Sequence, residues 1–84
     1  MKLLKLPQVL ELTANSRTTH YTHIKNNLMT APVPLGGGHS VAWPEPEIMA
    51  INQARIAGKS DDFIRNLVSS LLADRKKIDV QGAA

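Results

Sequence analysis

Hydrophobic and polar positions divide the chain into four helical stretches and one extended stretch. From Leu6 to Thr13, Val9, Leu10 and Thr13 recur on one face with Leu12 beside it, which predicts a short first helix. Pro7 suits its first turn, where a missing N–H has no intrahelical role. Ala14-Asn15 ends it, Asn being the residue that tolerates a turn. A second helix is predicted from Arg17 to about Asn26. Ser16 is placed as its N-cap, able to accept from the N–H of residue 18 or 19, and Asn27 as its left-handed C-terminal residue. His20 and Ile24 lie four apart with His23 and Asn27 beside them, a side expected to pack on the first helix. Thr18, Thr22 and Lys25 share the opposite side, flanked by Arg17 and Tyr21.

From Thr30 the helical period stops. Pro32 and Pro34 exclude helix, and Val33–Leu35 and Ser40–Trp43 read as short extended segments. Gly36-Gly37-Gly38-His39 between them can close a two-stranded hairpin, with Pro34 on an edge. Pro44-Glu45-Pro46-Glu47 opens a third helix, since prolines and acids both suit a first turn. Ile48, Ile51 and Arg55 share a face there, with Ala54 beside them, and Gly58 ends the helix. Ser60 caps a fourth helix, with Asp61 and Asp62 at its positive end and Arg75, Lys76 and Lys77 at its negative end. Phe63, Ile64, Leu67, Val68, Leu71 and Leu72 make a wide apolar stripe along it.

Two helices joined by a three- or four-residue turn and followed by a hairpin define the expected fold class. It is mainly α: a winged helix-turn-helix over residues 3–58 with a small two-stranded β-hairpin, and an additional C-terminal helix over 60–77. Residues 79–84 are expected to form a flexible tail. The apolar stripe exceeds what covering so small a domain requires. It is therefore expected to form a helix–helix contact between protomers, in a dimer; the alternative is that it packs back on its own domain.

Composition bounds the function. The 84 residues suffice for one domain, and a chain this small buries only about 60–65% of its unfolded surface, so a homo-oligomer is a reasonable expectation. The absence of cysteine removes disulfides and thiolate metal sites and agrees with a reducing cytoplasm. No apolar run approaches the roughly 18 residues of a membrane span, and Lys5 interrupts Leu3, Leu4 and Leu6 too early for a signal-peptide core. The net charge is +3, and its excess lies in residues 1–59, with six basic and three acidic side chains against four of each beyond. A polyanionic partner suits that split.

The second helix carries the candidate chemistry. Arg17 and Lys25 can pair with phosphates or with guanine in a major groove, and Thr18 and Thr22 can bond to either kind of target. The N–H groups left free beside Ser16 form a natural phosphate site. At the hairpin tip, Gly37 and Gly38 leave backbone N–H groups unobstructed, and His39 is the polar side chain with reach. His20 and His23, with His39 brought in from the wing, could be arranged around a metal. No Cys, Asp or Glu stands near to support them, so no metal or other cofactor is expected, and His20 reads instead as a hydrogen-bonded core histidine. No nucleophile elbow or acid/base pair appears, which argues against an enzyme.

The ordered run of Leu4–Thr13, Ser16-Arg17-Thr18-Thr19-His20-Tyr21, Pro32-Val33-Pro34-Leu35-Gly36, Val41-Ala42-Trp43 and Ala54-Arg55-Ile56-Ala57 resembles the AlpA family of prophage regulatory proteins. These are small relatives of the MerR-type winged helix-turn-helix and of phage excisionases. The resemblance implies a DNA-binding transcription regulator, or an excision factor assisting an integrase, and points to Ser16, Arg17, Thr19 and Tyr21 as contacts. Thr22, Pro34, the Gly37-Gly38-His39 tip and Pro44 stand where the family commonly carries basic residues. Each change removes a phosphate contact. With about three or four contacts the salt dependence of binding would have a log–log slope of roughly −3 to −4, so several copies on one duplex are expected. A third reading keeps the fold, gives up strong DNA binding and makes the fourth helix a protein-interaction surface.

Overall fold

The computed structural model describes residues 1–78; the expected tail at 79–84 lies outside the described residues. The elements are β1 (Leu3–Leu4), α1 (Leu6–Thr13), α2 (Arg17–Lys25), β2 (Val33–Pro34), β3 (Val41–Pro44), α3 (Glu45–Ile56) and α4 (Asp61–Arg75). The fold is mainly α, with a small antiparallel sheet, as the periodicity implies.

The sheet has three strands in the order β1-β3-β2, one more than the hairpin predicted. Leu3 pairs with Pro44 and Leu4 with Trp43, while Val33 pairs with Ala42 and Pro34 with Val41. Leu4 is buried and Leu3 half exposed, the alternation of a strand, but two residues are too few to show a period. Pro34 sits on the edge strand and is exposed, where its missing donor costs no ladder bond.

Helix ends follow local chemistry. The Ser16 hydroxyl accepts from the Thr19 N–H at 3.1 Å and the Ser60 hydroxyl from the Phe63 N–H at 3.1 Å. Asn27, at φ 62°, closes α2: the Leu28 N–H donates to the His23 carbonyl and the Asn27 N–H to that of Ile24. Gly58, at φ 73°, closes α3 the same way, with Lys59 and Gly58 donating to Ala54 and Arg55. At the end of α1 it is Ala14, not Asn15, that takes the left-handed conformation, at φ 60°. The Thr13 hydroxyl donates to the Val9 carbonyl and accepts from the Asn15 N–H, which turns the chain one residue early.

One core joins β1, β3 and the four helices. It holds Leu4, Val9, Leu28, Met29, Trp43, Ile48, Ile51, Ala54, Ile64 and Val68. The apolar stripe of α4 therefore has an owner inside the chain. Ile64 and Val68 are fully buried, and Leu67, Leu71 and Leu72 pack partly against the same core. The centre of the stripe thus covers the domain itself, as the second of the two readings has it, while Phe63, Leu67, Leu71 and Leu72 keep part of their surface outward. Phe63 alone stays half exposed, with the Lys59 ammonium 5.1 Å above its ring. Arg55 likewise lies off the buried face of α3 and pairs with Asp61 at 3.1 Å. Arg75 does more than complement a helix dipole. Its guanidinium grips the buried Glu47 carboxylate through two bonds of 2.7 Å and donates a third, also 2.7 Å, to the Ala31 carbonyl.

Candidate nucleic-acid interface

The inner side of α2 is held by His20, its one fully buried side chain. The imidazole meets the Trp43 indole edge-on, centroids 4.9 Å apart, and Tyr21 at 5.3 Å. Trp43 lies on β3, the central strand, so this contact docks the helix on the sheet that carries the hairpin. The indole N–H in turn donates to the Thr30 carbonyl at 2.9 Å, fixing the chain between α2 and β2. Among the described residues neither ring nitrogen of His20 has a hydrogen-bond partner, which corrects the expectation of a hydrogen-bonded core histidine. Burial, reinforced by the neighbouring His23, lowers its pKa, so the ring is held neutral. His23 is also lowered, by burial and by Arg55, with Asp61 opposing.

The outer side of α2 gathers the expected reading residues. Arg17, Thr18, Thr22 and Lys25 are exposed, and Tyr21 is about half exposed. Neither Arg17 nor Lys25 joins an ion pair among the described residues. Ser16 and Thr19 serve differently. The Ser16 hydroxyl accepts the Thr19 N–H and donates to the Thr19 hydroxyl at 3.0 Å, so both side chains are engaged in capping the helix. What the cap leaves outward is backbone N–H at a positive helix end.

The wing closes through the Leu35 N–H, which donates to the Ser40 carbonyl at 2.9 Å. Gly36, Gly37 and Gly38 all have positive φ, at 78°, 66° and 85°. A side chain at any of them would meet nothing within 4 Å, so glycine is required by the backbone conformation and not by crowding. The tip with His39 is exposed. Lys5, at the start of α1, donates to the Ser40 hydroxyl at 2.8 Å and adds a cation at the wing base that the sequence patterning passed over. The three histidines are not brought together: His20 is in the core, His23 lines a cleft of about 320 Å³ with Leu12, Asn52 and Arg55, and His39 is at the wing tip. Among the described residues no group of three metal-ligating side chains is assembled. No helix among them is long and apolar enough to cross a membrane.

Residues 2–56 match the family model described as prophage CP4-57 regulatory protein (AlpA). The chain is also similar to an uncharacterized protein, ORF88, of Enterobacteria phage P4, at 38% identity over 62 residues, covering 74% of this chain and 69% of that one. No solved structure gives a significant match.

Proposed function

The chain belongs to the AlpA family of prophage regulatory proteins, and from that premise we propose that it binds double-stranded DNA sequence-selectively as a small prophage or mobile-element regulator. In this reading α2 enters the major groove with Arg17, Thr18, Tyr21, Thr22 and Lys25 outward. The capped N-terminus at Ser16 and Thr19 receives a phosphate, and Gly37, Gly38 and His39 lie along the neighbouring strand. The observation that carries the proposal is the outer side of α2, which presents two cations without ion pairs among the described residues and three hydroxyl-bearing side chains, on a helix fixed from behind by Trp43. The protein has no chemistry of its own and works in the cytoplasm, where its DNA is.

Few phosphate contacts make a single copy a weak binder, so several copies act on adjacent sites of one duplex. With the α4 stripe used internally, DNA itself gathers them into the homo-oligomer. Regulation of a promoter and assistance to an integrase use the same contacts; the family's description as regulatory favours the first. Fluorescence anisotropy with genomic duplex fragments tests the proposal. The expected log–log salt slope is about −3 to −4. Absence of binding near about 50 mM salt would overturn it in favour of a protein-interaction module.

A further inference from the structure

The hairpin is held weakly by its own sheet. Its outer strand, β2, pairs over two residues, and one of them, Pro34, has no N–H to give. The chain entering β2 is fixed by two side chains, one on the central strand β3 and one outside the sheet on α4. The Thr30 carbonyl accepts from Trp43, and the next carbonyl, Ala31, accepts from Arg75 at 2.7 Å. The same Arg75 fork is locked on the Glu47 carboxylate, whose side chain is only 7% exposed. Ten residues earlier on α4, Arg65 donates through Nε to the carbonyl of Asn26, the C-cap of α2, at 3.2 Å. A straight α-helix spans about 15 Å over that interval. One rigid helix thus grips the end of the reading helix at one point and the root of the wing at the other. All of α4 lies beyond the residues that match the family model.

We propose that Arg75 is a positioning residue for DNA binding: clamped to Glu47, it sets the wing at a fixed place relative to α2, with Arg65 as the second anchor of the α4 strut. The inference rests on the DNA-binding reading above. Arg75 touches no DNA; it acts through Ala31 on the Gly36–His39 tip.

The test adds a charge to the wing tip and asks whether it is felt. His39→Arg places a guanidinium on an exposed tip, and a wing lying against a phosphate strand should steepen the salt slope by about 0.9. The same substitution is then made in two backgrounds. Arg75→Lys keeps a cation against Glu47 but loses the planar fork that holds carboxylate and carbonyl together. Glu47→Gln with Arg75→Met removes the clamp and leaves no buried charge. In both, the increment from His39→Arg should fall to about a third or less, while the loss from Arg17→Ala stays as in the parent protein. Near-ultraviolet circular dichroism of Trp43 identifies which background keeps its fold, and one folded background suffices. An undiminished increment there overturns the proposal, because a role confined to stability leaves the wing tip where it was. If His39→Arg has no effect in the parent, the wing is not on DNA and the proposal also fails. Parent protein that binds no duplex overturns the DNA-binding reading itself, a separate outcome.

Discussion

Helices α2 and α4 each carry two cations between their ends, and they use them in opposite ways. On α4, Arg65 bonds to Asp62 and to the Asn26 carbonyl, and Arg75 to Glu47 and the Ala31 carbonyl. On α2, Arg17 and Lys25 have no ion pair among the described residues. The buried faces differ in the same sense. Helix α4 seals Ile64 and Val68 into the core, whereas α2 commits one side chain fully, and that one is polar. A helix whose charges are satisfied internally holds the fold. A helix whose cations have no ion pair among the described residues, and which is only lightly sunk into the core, leaves its outer side open.

The comparison breaks first at Arg75. Arg75→Met leaves the Glu47 carboxylate buried without its partner and should cost about 3 kcal/mol, near the low end for a broken buried pair because Arg75 keeps some contact with water. Urea denaturation followed by Trp43 fluorescence measures it. A loss below about 1 kcal/mol would place this bridge among ordinary surface pairs and remove the contrast between the helices.

Next comes His20, the weak point beneath α2. His20→Leu should stabilise the protein at neutral pH by about 1 kcal/mol, since two ring nitrogens are buried without partners and part of the gain is offset by the lost edge contact with Trp43. The pH dependence has a definite sign. Burial holds the folded pKa of His20 below its ordinary value of 6.5, so below that pH the unfolded chain takes a proton that the folded one refuses. Stability should be flat above pH 6.5 and fall as pH drops below it, by at most about 1.4 kcal/mol per unit from this residue. The Leu variant should lose that share and keep the one from His23, whose pKa is also lowered. A parent protein equally stable at pH 5 and pH 7 would show that His20 finds a partner or water. The two caps sharpen the comparison at a similar scale. Ser16→Ala and Ser60→Ala should each cost about 1 kcal/mol, their geometries being alike. Tm shifts in the two variants compare them.

Most of the scaffold could be read from local chemistry, because caps and turns are decided within a few residues. Ser16, Asn27, Gly58 and Ser60 act where the sequence places them. What escaped depends on distant partners. Leu3–Leu4 is a strand because β3 lies beside it, and Arg75 belongs to Glu47, 28 positions away, although charge near a helix end reads equally well as a dipole effect. The α4 stripe showed correctly that a wide face is covered, but periodicity cannot tell a face covered by its own domain from one covered by a second copy. For the candidate interface, the pattern on α2 distinguished an outward polar side from an inward one. It could not show that Thr19 spends its hydroxyl on the cap, or that His20 enters the core without a hydrogen bond.

The smallest effect on stability is the sharpest test of the comparison. Arg17→Ala and Lys25→Ala remove exposed cations that join no ion pair among the described residues, so each should change stability by less than about 0.5 kcal/mol. Each should nevertheless reduce the salt slope of duplex binding by about 0.9, as one lost phosphate contact does. If one of them reads a guanine instead, its loss should fall mainly on the preferred fragment and spare random duplex. Arg65→Ala gives the converse profile. It gives up an exposed pair with Asp62 and a bond to Asn26, worth about 1 kcal/mol together, while the number of phosphates neutralised stays the same. Paired measurements of Tm and salt slope therefore separate the two helices along different axes. If Arg17→Ala moved Tm and left the slope alone, its freedom from internal partners would have been misread, and α2 would be a structural helix like α4.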